Sequence, residues 1–369
     1  MTLIVGGGIA GCAAARALAE RGHDVTLLEK HAVAAGASGN EAAVLYPPIT
    51  KTWLARTEWY FTGYGFTLRQ LARWREMGLG FAAGSPGMVK LPSDAQDAAR
   101  LAGVNSVLGL DASIAEWLEA EPLSQRSGMR AGSGGVWFAE GTWLSPAELC
   151  RALVQHPRIA LREGTEAASL ARHGDGWRVT TAEGETFDAA QVVLCAAQEV
   201  KRFLPHLQLG MSAGQVTRVA ADGAPGPIVC HKGYIVPRGD SCLLGATYDH
   251  ADFSRAVTEA NHARNLDAAR AALPGWRIAD AVTGGRTSLR ATTPDRMPTI
   301  GEMEAGLYVS TGHGSRGMIS APLAAEMIAS WISSGAPPVT QALAHSVSPL
   351  RQTASATVSE NPSRAKMGA

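Results

Sequence analysis

Residues 3–29 hold the arrangement that most narrows what this chain can fold into. Leu3-Ile4-Val5 is a short apolar run of strand type, Gly6-Gly7-Gly8-Ile9-Ala10-Gly11 follows at once, and Ala13 to Arg21 is rich in helix formers. Gly22 can end that helix, and Val25-Thr26-Leu27-Leu28-Glu29 reads as a second buried strand with a carboxylate at its end. The spacing predicts a complete βαβ unit. Within Gly6-x-Gly8-x-x-Gly11, the first glycine permits the turn, the second lets a pyrophosphate approach the backbone, and the third lets helix and strand pack closely. Ile9 and Ala10 then open a helix whose N-terminus faces the phosphates. Glu29, followed by Lys30, lies 18 residues beyond Gly11, near the usual distance for an acid that accepts hydrogen bonds from the ribose hydroxyls of an adenine dinucleotide. These residues alone do not choose between FAD and NAD.

Composition excludes several other classes. The 33 basic residues balance 33 acidic ones, so no global electrostatic pull toward nucleic acid or membrane is written into the 369 residues. An apolar fraction of 46 % with 18 % charged residues is that of a globular chain of about two domains. Glycine, 41 of 369, is about 11 % against a usual ~7 %, and points to tight turns or close backbone approach to a ligand. Cys12, Cys150, Cys195, Cys230 and Cys242 are odd in number and contain no CxxC pair, so neither a disulfide framework nor a metal site is expected, and a reduced, cytoplasmic setting fits. The apolar opening lacks a basic leader and carries Arg16, which argues against a signal peptide. No stretch reaches the ~18 apolar residues of a membrane helix.

The continuation chooses between cofactors. Gly36-Ala37-Ser38-Gly39-Asn40 leads through Glu41-Ala42-Ala43-Val44 to Leu45-Tyr46-Pro47. This resembles the second flavin loop of the D-amino-acid oxidase and glycine oxidase superfamily and, more narrowly, the FAD-dependent oxidoreductase half of the bifunctional tRNA 5-methylaminomethyl-2-thiouridine biosynthesis family. The strings Gly141-x-Trp143-Leu144-x-Pro146-Ala147-Glu148-Leu149 and Gly312-His313-Gly314-Ser315-Arg316-Gly317 are similar to the same family. The resemblance covers roughly residues 1–351 and implies FAD, held by Ala37, Ser38, Gly39 and Asn40 besides the first glycine turn. It also has departures: Glu41-Ala42-Ala43 replaces the family's usual Arg-Gln-Gly, and Ala196-Ala197-Gln198 stands where an Asn-Gly or similar pair is usual.

Near the far end, 305–311 reads as a strand, followed by the Gly312–Gly317 turn and a helix from Met318 to Ile332 with Pro322 in its first turn. Strand, glycine turn and helix thus recur. A helix N-terminus there suits the N1/O2 edge of an isoalloxazine, with Gly312, Gly314, Ser315, Arg316, Gly317 and Met318 around it. The expected fold is α/β: a Rossmann-like FAD-binding nucleotide domain (1–50, 145–200 and 291–335) interleaved with an α+β substrate domain built on an antiparallel sheet (51–144 and 201–290). Residues 336–369 read as a C-terminal extension, partly disordered. Trp53 to Met77 reads as an aromatic-rich helix, core-facing in the first reading and a base-stacking surface for RNA in the second. Ser145, Pro146 and Glu148 read as a helix start with a capping box.

For the chemistry, the resemblance implies that an arginine at the place of Arg290 holds a substrate carboxylate, with Arg286 and Arg316 as further candidates. A guanidinium fork suits a carboxylate bidentately. His313 is the most suggestive histidine by position, although a lone histidine is usually structural. The family's activity implies oxidative removal of the carboxymethyl group from 5-carboxymethylaminomethyl(-2-thio)uridine at the tRNA wobble position, releasing glyoxylate. In that reading tRNA is the substrate, contacted by Arg56, Arg69, Arg73 and Arg75, and a separate methyltransferase acts on the product. A small-amine oxidase or dehydrogenase acting on glycine, sarcosine or D-amino acids is the rival reading. A flavin-bearing RNA-binding module without turnover is a further one.

Overall fold

A computed structural model describes residues 1–276, 278 and 281–352. The chain divides into two compact interleaved units, 1–33 with 153–210 and 291–369, and 34–152 with 211–290. The first crossing falls at 33 rather than 50 because Ala43–Leu45 pairs antiparallel with Thr142–Leu144, inside the second unit.

The first unit is built on a six-stranded sheet in the order Thr299–Glu304, Leu307–Thr311, Gln191–Leu194, Thr2–Val5, Val25–Leu28, Ile159–Arg162. All pairings are parallel except the first. Alternation along the strands serves two covers. Leu3, Val5, Leu28, Val192 and Leu194 share a cluster with Trp177 and Val179 of an antiparallel sheet of three strands, Ala167–His173, Gly176–Thr181 and Thr186–Ala189. Ile4 points the other way, toward Gly11 of the opening helix Ile9–Glu20. That helix packs along the late helix Gly317–Ile332, whose sequence is apolar on almost every side and accordingly buried. The stretch 160–170 is divided between two strands that serve different sheets. Pro322 lies inside the second turn of its helix, not the first.

The second unit holds an eight-stranded sheet in the order Val282–Thr292, Gly210–Ala220, Ser241–Gly245, Tyr234–Arg238, Ile228–Cys230, Met88–Lys90, Gly135–Phe138, Glu116–Leu118. Ile228–Cys230 runs parallel to Met88–Lys90, an exception to the expected antiparallel sheet. One face carries Val216, Val236, Leu243 and Met88; the other carries Val219, Val229, Ile235 and Leu244 under the helix Glu259–Ala272. The aromatic helix spans Ala55–Glu76 and buries Trp59, Tyr60, Tyr64, Leu71 and Trp74, so helical spacing sets these rings in the core. In the helix Pro146–Leu153, Ser145 caps the Glu148 N–H at 3.5 Å, but the Glu148 carboxylate accepts from the Ala82 N–H at 2.8 Å instead of closing a capping box. The helix Gln341–Val347 belongs to the first unit, and the last dozen residues, expected to be disordered, lie outside the described residues.

Ala197 stands at φ +49°, a left-handed conformation that costs a side chain with a Cβ about 1–2 kcal/mol and glycine far less. It sits where the resembled family has an Asn-Gly-type pair. Ala197→Gly should therefore raise stability by about 0.5–1 kcal/mol after allowing for the extra freedom of unfolded glycine. Calorimetry should show a Tm gain of about 1–3 °C; an unchanged or lower Tm would mean the site is relaxed.

Candidate functional site

The first glycine turn is closed by steric limits. Gly6 stands at φ +110°, and a Cβ there would lie 2.7 Å from the Cys195 carbonyl. A Cβ on Gly11 would overlap the Gly6 carbonyl oxygen. Gly8 is the N-cap of the opening helix, and no side chain caps that end, leaving the positive end of the helix dipole to an external anion. Ile9 and Ala10 are buried behind it. Glu29 stands beside the turn, its carboxylate accepting from the Gly7 N–H at 2.7 Å and the His31 N–H at 2.9 Å. Lys30 pairs with Glu199. An uncapped helix N-terminus with an acid at the end of the adjacent strand fits a dinucleotide: pyrophosphate at the former, ribose at the latter.

The second glycine turn leaves the strand Leu307–Thr311 in the same unit. Gly312 has φ +73° and Gly314 φ +57°, and a Cβ on Gly312 would come 2.7 Å from the Thr293 methyl. A short 3-10 turn, Gly314–Arg316, contains Ser315 and feeds the helix that starts at Gly317 and Met318, again without a side-chain cap. His313 sits half-buried between two hydroxyls, Nε2 at 3.0 Å from Ser310 Oγ and Nδ1 at 2.7 Å from Ser320 Oγ. It ties the strand to the helix and so holds the turn. Burial lowers its pKa from 6.5 to about 4, so the ring is neutral at physiological pH and gives no sign of acid–base work. Cys195 is buried with its thiol pushed up to about 12, as suits an apolar filler.

The second unit carries the segment 34–41. Ala37–Gly39 forms one 3-10 turn, and Arg286 fastens it: Nη1 donates to Asn40 Oδ1 at 2.9 Å, and Nη2 to the carbonyls of Ala35 at 2.9 Å and Gly36 at 2.6 Å. Ser38 lies within that turn, and a Cβ on Gly39 would come 2.7 Å from the Arg286 guanidinium. Arg286 thus has its donors engaged with this loop. The Glu41 carboxylate accepts from Arg238 at 3.1 Å and stands 3.5 Å from Arg218, while Arg238 stacks on the Trp143 ring. The glutamate that departs from the resembled family is therefore matched by two arginines on the neighbouring sheet.

Arg290 is different in kind. It is 7 % exposed, and among the described residues no carboxylate pairs with it. Nη1 reaches the carbonyls of Ala213 and Thr247 at 3.3 Å, longer than a good charged hydrogen bond. The guanidinium stacks on the Tyr248 ring at 4.4 Å and lies against the bare Cα of Gly214, where a Cβ would overlap it. The Tyr234 hydroxyl is nearby, its pKa raised by burial and opposed by Arg290. A buried cation without an anion is costly, so this arrangement suits a carboxylate brought by a ligand. Gly214, Tyr234 and Tyr248 escaped sequence reading.

Of the arginines on the aromatic helix, Arg69, Arg73 and Arg75 are exposed and Arg56 half-exposed; Arg75 lies over the Phe81 ring. No group of residues suited to a metal ion occurs among the described residues, and no described helix is long and apolar enough to cross a membrane. All five cysteines are buried, and none forms a disulfide.

A mostly parallel sheet that ends in two glycine turns, each feeding a helix with no side-chain cap, defines a dinucleotide-binding protein of the flavoenzyme class. The chain belongs to the FAD dependent oxidoreductase family, whose sequence model matches residues 1–331; FAD is that family's cofactor. It is 35 % identical over 390 aligned residues to the tRNA 5-methylaminomethyl-2-thiouridine biosynthesis bifunctional protein MnmC of Pseudomonas aeruginosa PAO1, covering 95 % of this chain and 59 % of that protein. The MnmC protein of Nitrosospira multiformis is 34 % identical, at 95 % and 60 %. The chain thus spans about three-fifths of the length of these curated relatives. Among solved structures, glycine oxidase from Geobacillus kaustophilus superposes with a TM-score of 0.82 at 24 % identity, over 92 % of this chain and 96 % of the other. L-proline dehydrogenase from P. horikoshii gives 0.80 at 17 %, over 96 % and 98 %. Both share the fold.

The depressed pKa of His313 fixes a pH dependence. Above about 6.5 the ring is neutral folded and unfolded, and its burial costs nothing in protonation. As pH falls from 6.5 toward about 4, the unfolded state binds a proton that the folded state does not, so stability falls with a slope of up to ~1.4 kcal/mol per pH unit. Tm measured from pH 7.5 to 4.5 should drop more steeply for the wild type than for His313→Gln. Parallel curves would refute the assignment.

Proposed function

We propose that the protein oxidises the carboxymethylamino group of 5-carboxymethylaminomethyl(-2-thio)uridine at the tRNA wobble position, acting on a CH–NH bond and leaving the aminomethyl nucleoside and glyoxylate. The observation that carries the reading is Arg290, a buried guanidinium without an acidic partner. The names of the most similar curated relatives support tRNA over a free amino acid as the bearer of the amine.

FAD, when bound, supplies the two-electron acceptor for the hydrogen on the carbon beside the amine nitrogen. The glycine turns at Gly6–Gly11 and Gly312–Gly317 would hold its phosphates and ring and Glu29 its ribose, while Arg286 keeps the 35–40 loop in place through three hydrogen bonds. Arg290 holds the carboxylate end of the substrate, and Tyr248 covers the guanidinium face. The substrate amine, bound neutral, contributes its lone pair as the C–H bond breaks, and water then splits the C=N bond of the oxidised substrate into the primary amine and glyoxylate. The protein's task is orientation and exclusion of solvent, for which no general base is required. Arg69 and Arg73 are exposed on the helix Ala55–Glu76, which suits contact with tRNA phosphates. A methyltransferase is the fitting consumer of the aminomethyl product, and the cytoplasm the fitting place.

Incubation of purified protein, FAD and carboxymethylaminomethyl-bearing tRNA, followed by nucleoside mass analysis, should show the aminomethyl nucleoside and equimolar glyoxylate. Robust turnover of glycine or sarcosine with inert tRNA would replace this reading by small-amine oxidation; bound FAD with no turnover of either would replace it by a non-catalytic module.

Arg290→Lys should keep the flavin absorbance yet lose roughly 10- to 150-fold in kcat/KM, since a point charge cannot reproduce a forked clamp and one charge-assisted hydrogen bond is worth about 1.5–3 kcal/mol. Unchanged kinetics would move the carboxylate site elsewhere.

A further inference from the structure

Between the strand Ser241–Gly245 and the helix Glu259–Ala272 the chain makes an exposed excursion, 248–257, with Tyr248 50 %, Phe253 39 % and Val257 45 % exposed. Its internal bonds are local: the Asp249 carboxylate accepts from the Ala251 and Asp252 N–H groups, Asp252 from Ser254, and the Ser254 hydroxyl from Ala256. Both ends meet Gln215, and the start is held as well by the antiparallel bridge between Asp249 and Ala213. At the start, the Gln215 N–H donates to Thr247 Oγ1 at 2.9 Å and its carbonyl accepts from the Thr247 N–H at 3.1 Å. At the end, Gln215 Nε2 donates to the Thr258 carbonyl at 2.9 Å and Oε1 accepts from the Thr258 N–H at 2.8 Å. Oε1 also accepts from the Thr287 hydroxyl at 3.3 Å, and that hydroxyl lies 3.0 Å from the Ala256 carbonyl. Gln215 itself is fully buried.

The first residue of the excursion, Tyr248, stacks on Arg290, and the Thr247 carbonyl accepts from Arg290 Nη1. The residues that frame the guanidinium are therefore placed by a loop that Gln215 closes like a clasp. A primary amide is suited to this: it offers a donor and an acceptor to the two backbone groups of one exposed residue, which an acid or an amine cannot do.

We propose that Gln215 is a positioning residue, closing the 248–257 loop at both ends and thereby holding Tyr248 and the Thr247 carbonyl against the Arg290 guanidinium. The proposal rests on Arg290 as the carboxylate anchor. Gln215→Met keeps the volume and removes the side-chain bonds, and the Thr258 groups it frees lie at an exposed position where water can reach them. Two measurements on the FAD-loaded protein test it. Trypsin cleavage after Arg255, in the absence of any carboxylate, should be at least fivefold faster in the variant. Acetate binding, read from perturbation of the flavin spectrum, should weaken at least fivefold, with Tm changed by no more than a few degrees. Thr287→Val, at a half-exposed position, should move both readouts in the same direction by less, and serves if the first variant folds poorly.

Unchanged cleavage would overturn the clasp regardless of acetate. Faster cleavage with unchanged acetate affinity would overturn the positioning role, since the loop would then be held without serving the anchor. Acetate binding insensitive to Arg290→Lys in the otherwise wild-type protein would overturn the anchor itself and the positioning role with it, while the cleavage result would still report on the clasp alone.

Discussion

The approach of Gly11 to the carbonyl oxygen of Gly6 is the contact on which the nucleotide-binding unit depends. It lets the opening helix start directly above the end of the first strand, and that placement aims the uncapped helix terminus outward beside Glu29. It also sets the height at which the helix lies on the sheet, and so the seat for the late helix Gly317–Ile332 that packs along it. A single methyl group at Gly11 would have to displace backbone, which cannot yield as a flexible side chain can. The second glycine turn repeats the logic with different means: the turn is held by a neutral histidine between two serines rather than by backbone contact alone.

In the second unit the ruling constraint is charge in a dry place. Four arginines of the eight-stranded sheet show it, three of them set against the segment 35–41. Arg286 is satisfied by carbonyls and an amide, Arg218 and Arg238 share Glu41, and Arg290 has only weak carbonyl contacts and an aromatic face. Equal residue types thus do unequal things according to what lies opposite. The first three stabilise a loop; the fourth retains an unanswered charge, which is what an anion-binding group requires before its ligand arrives.

The sequence made the first βαβ unit legible because three signals coincide within 29 residues: apolar runs of strand length, glycines at fixed offsets, and an acid at the right distance. The second glycine turn was legible for the same reason. The roles of individual arginines were not, since a guanidinium's task depends on partners far along the chain: Arg286 meets Asn40, and Arg238 meets Glu41. Similarly, Glu148 has the right offset for a capping box, yet a loop N–H at Ala82 competes for its carboxylate. Pattern reading sees offsets along the chain and is blind to such competition across it. The core role of the aromatic helix was legible from periodicity; the loop closed by Gln215 carries no periodic signal at all.

The bonds from Arg286 to Ala35, Gly36 and Asn40 span about 250 residues of chain. The sheet of the first unit likewise receives the strand Leu307–Thr311 last, although it lies beside Gln191–Leu194 near the sheet's middle. A ribosome therefore emits the first glycine turn long before it emits the strand that completes its sheet or the arginine that fastens the segment 35–40. Such long-range closure is slow, and it makes capture of the cofactor one of the final events in the life of the nascent chain. Until then the early segments have to be kept from pairing with other chains.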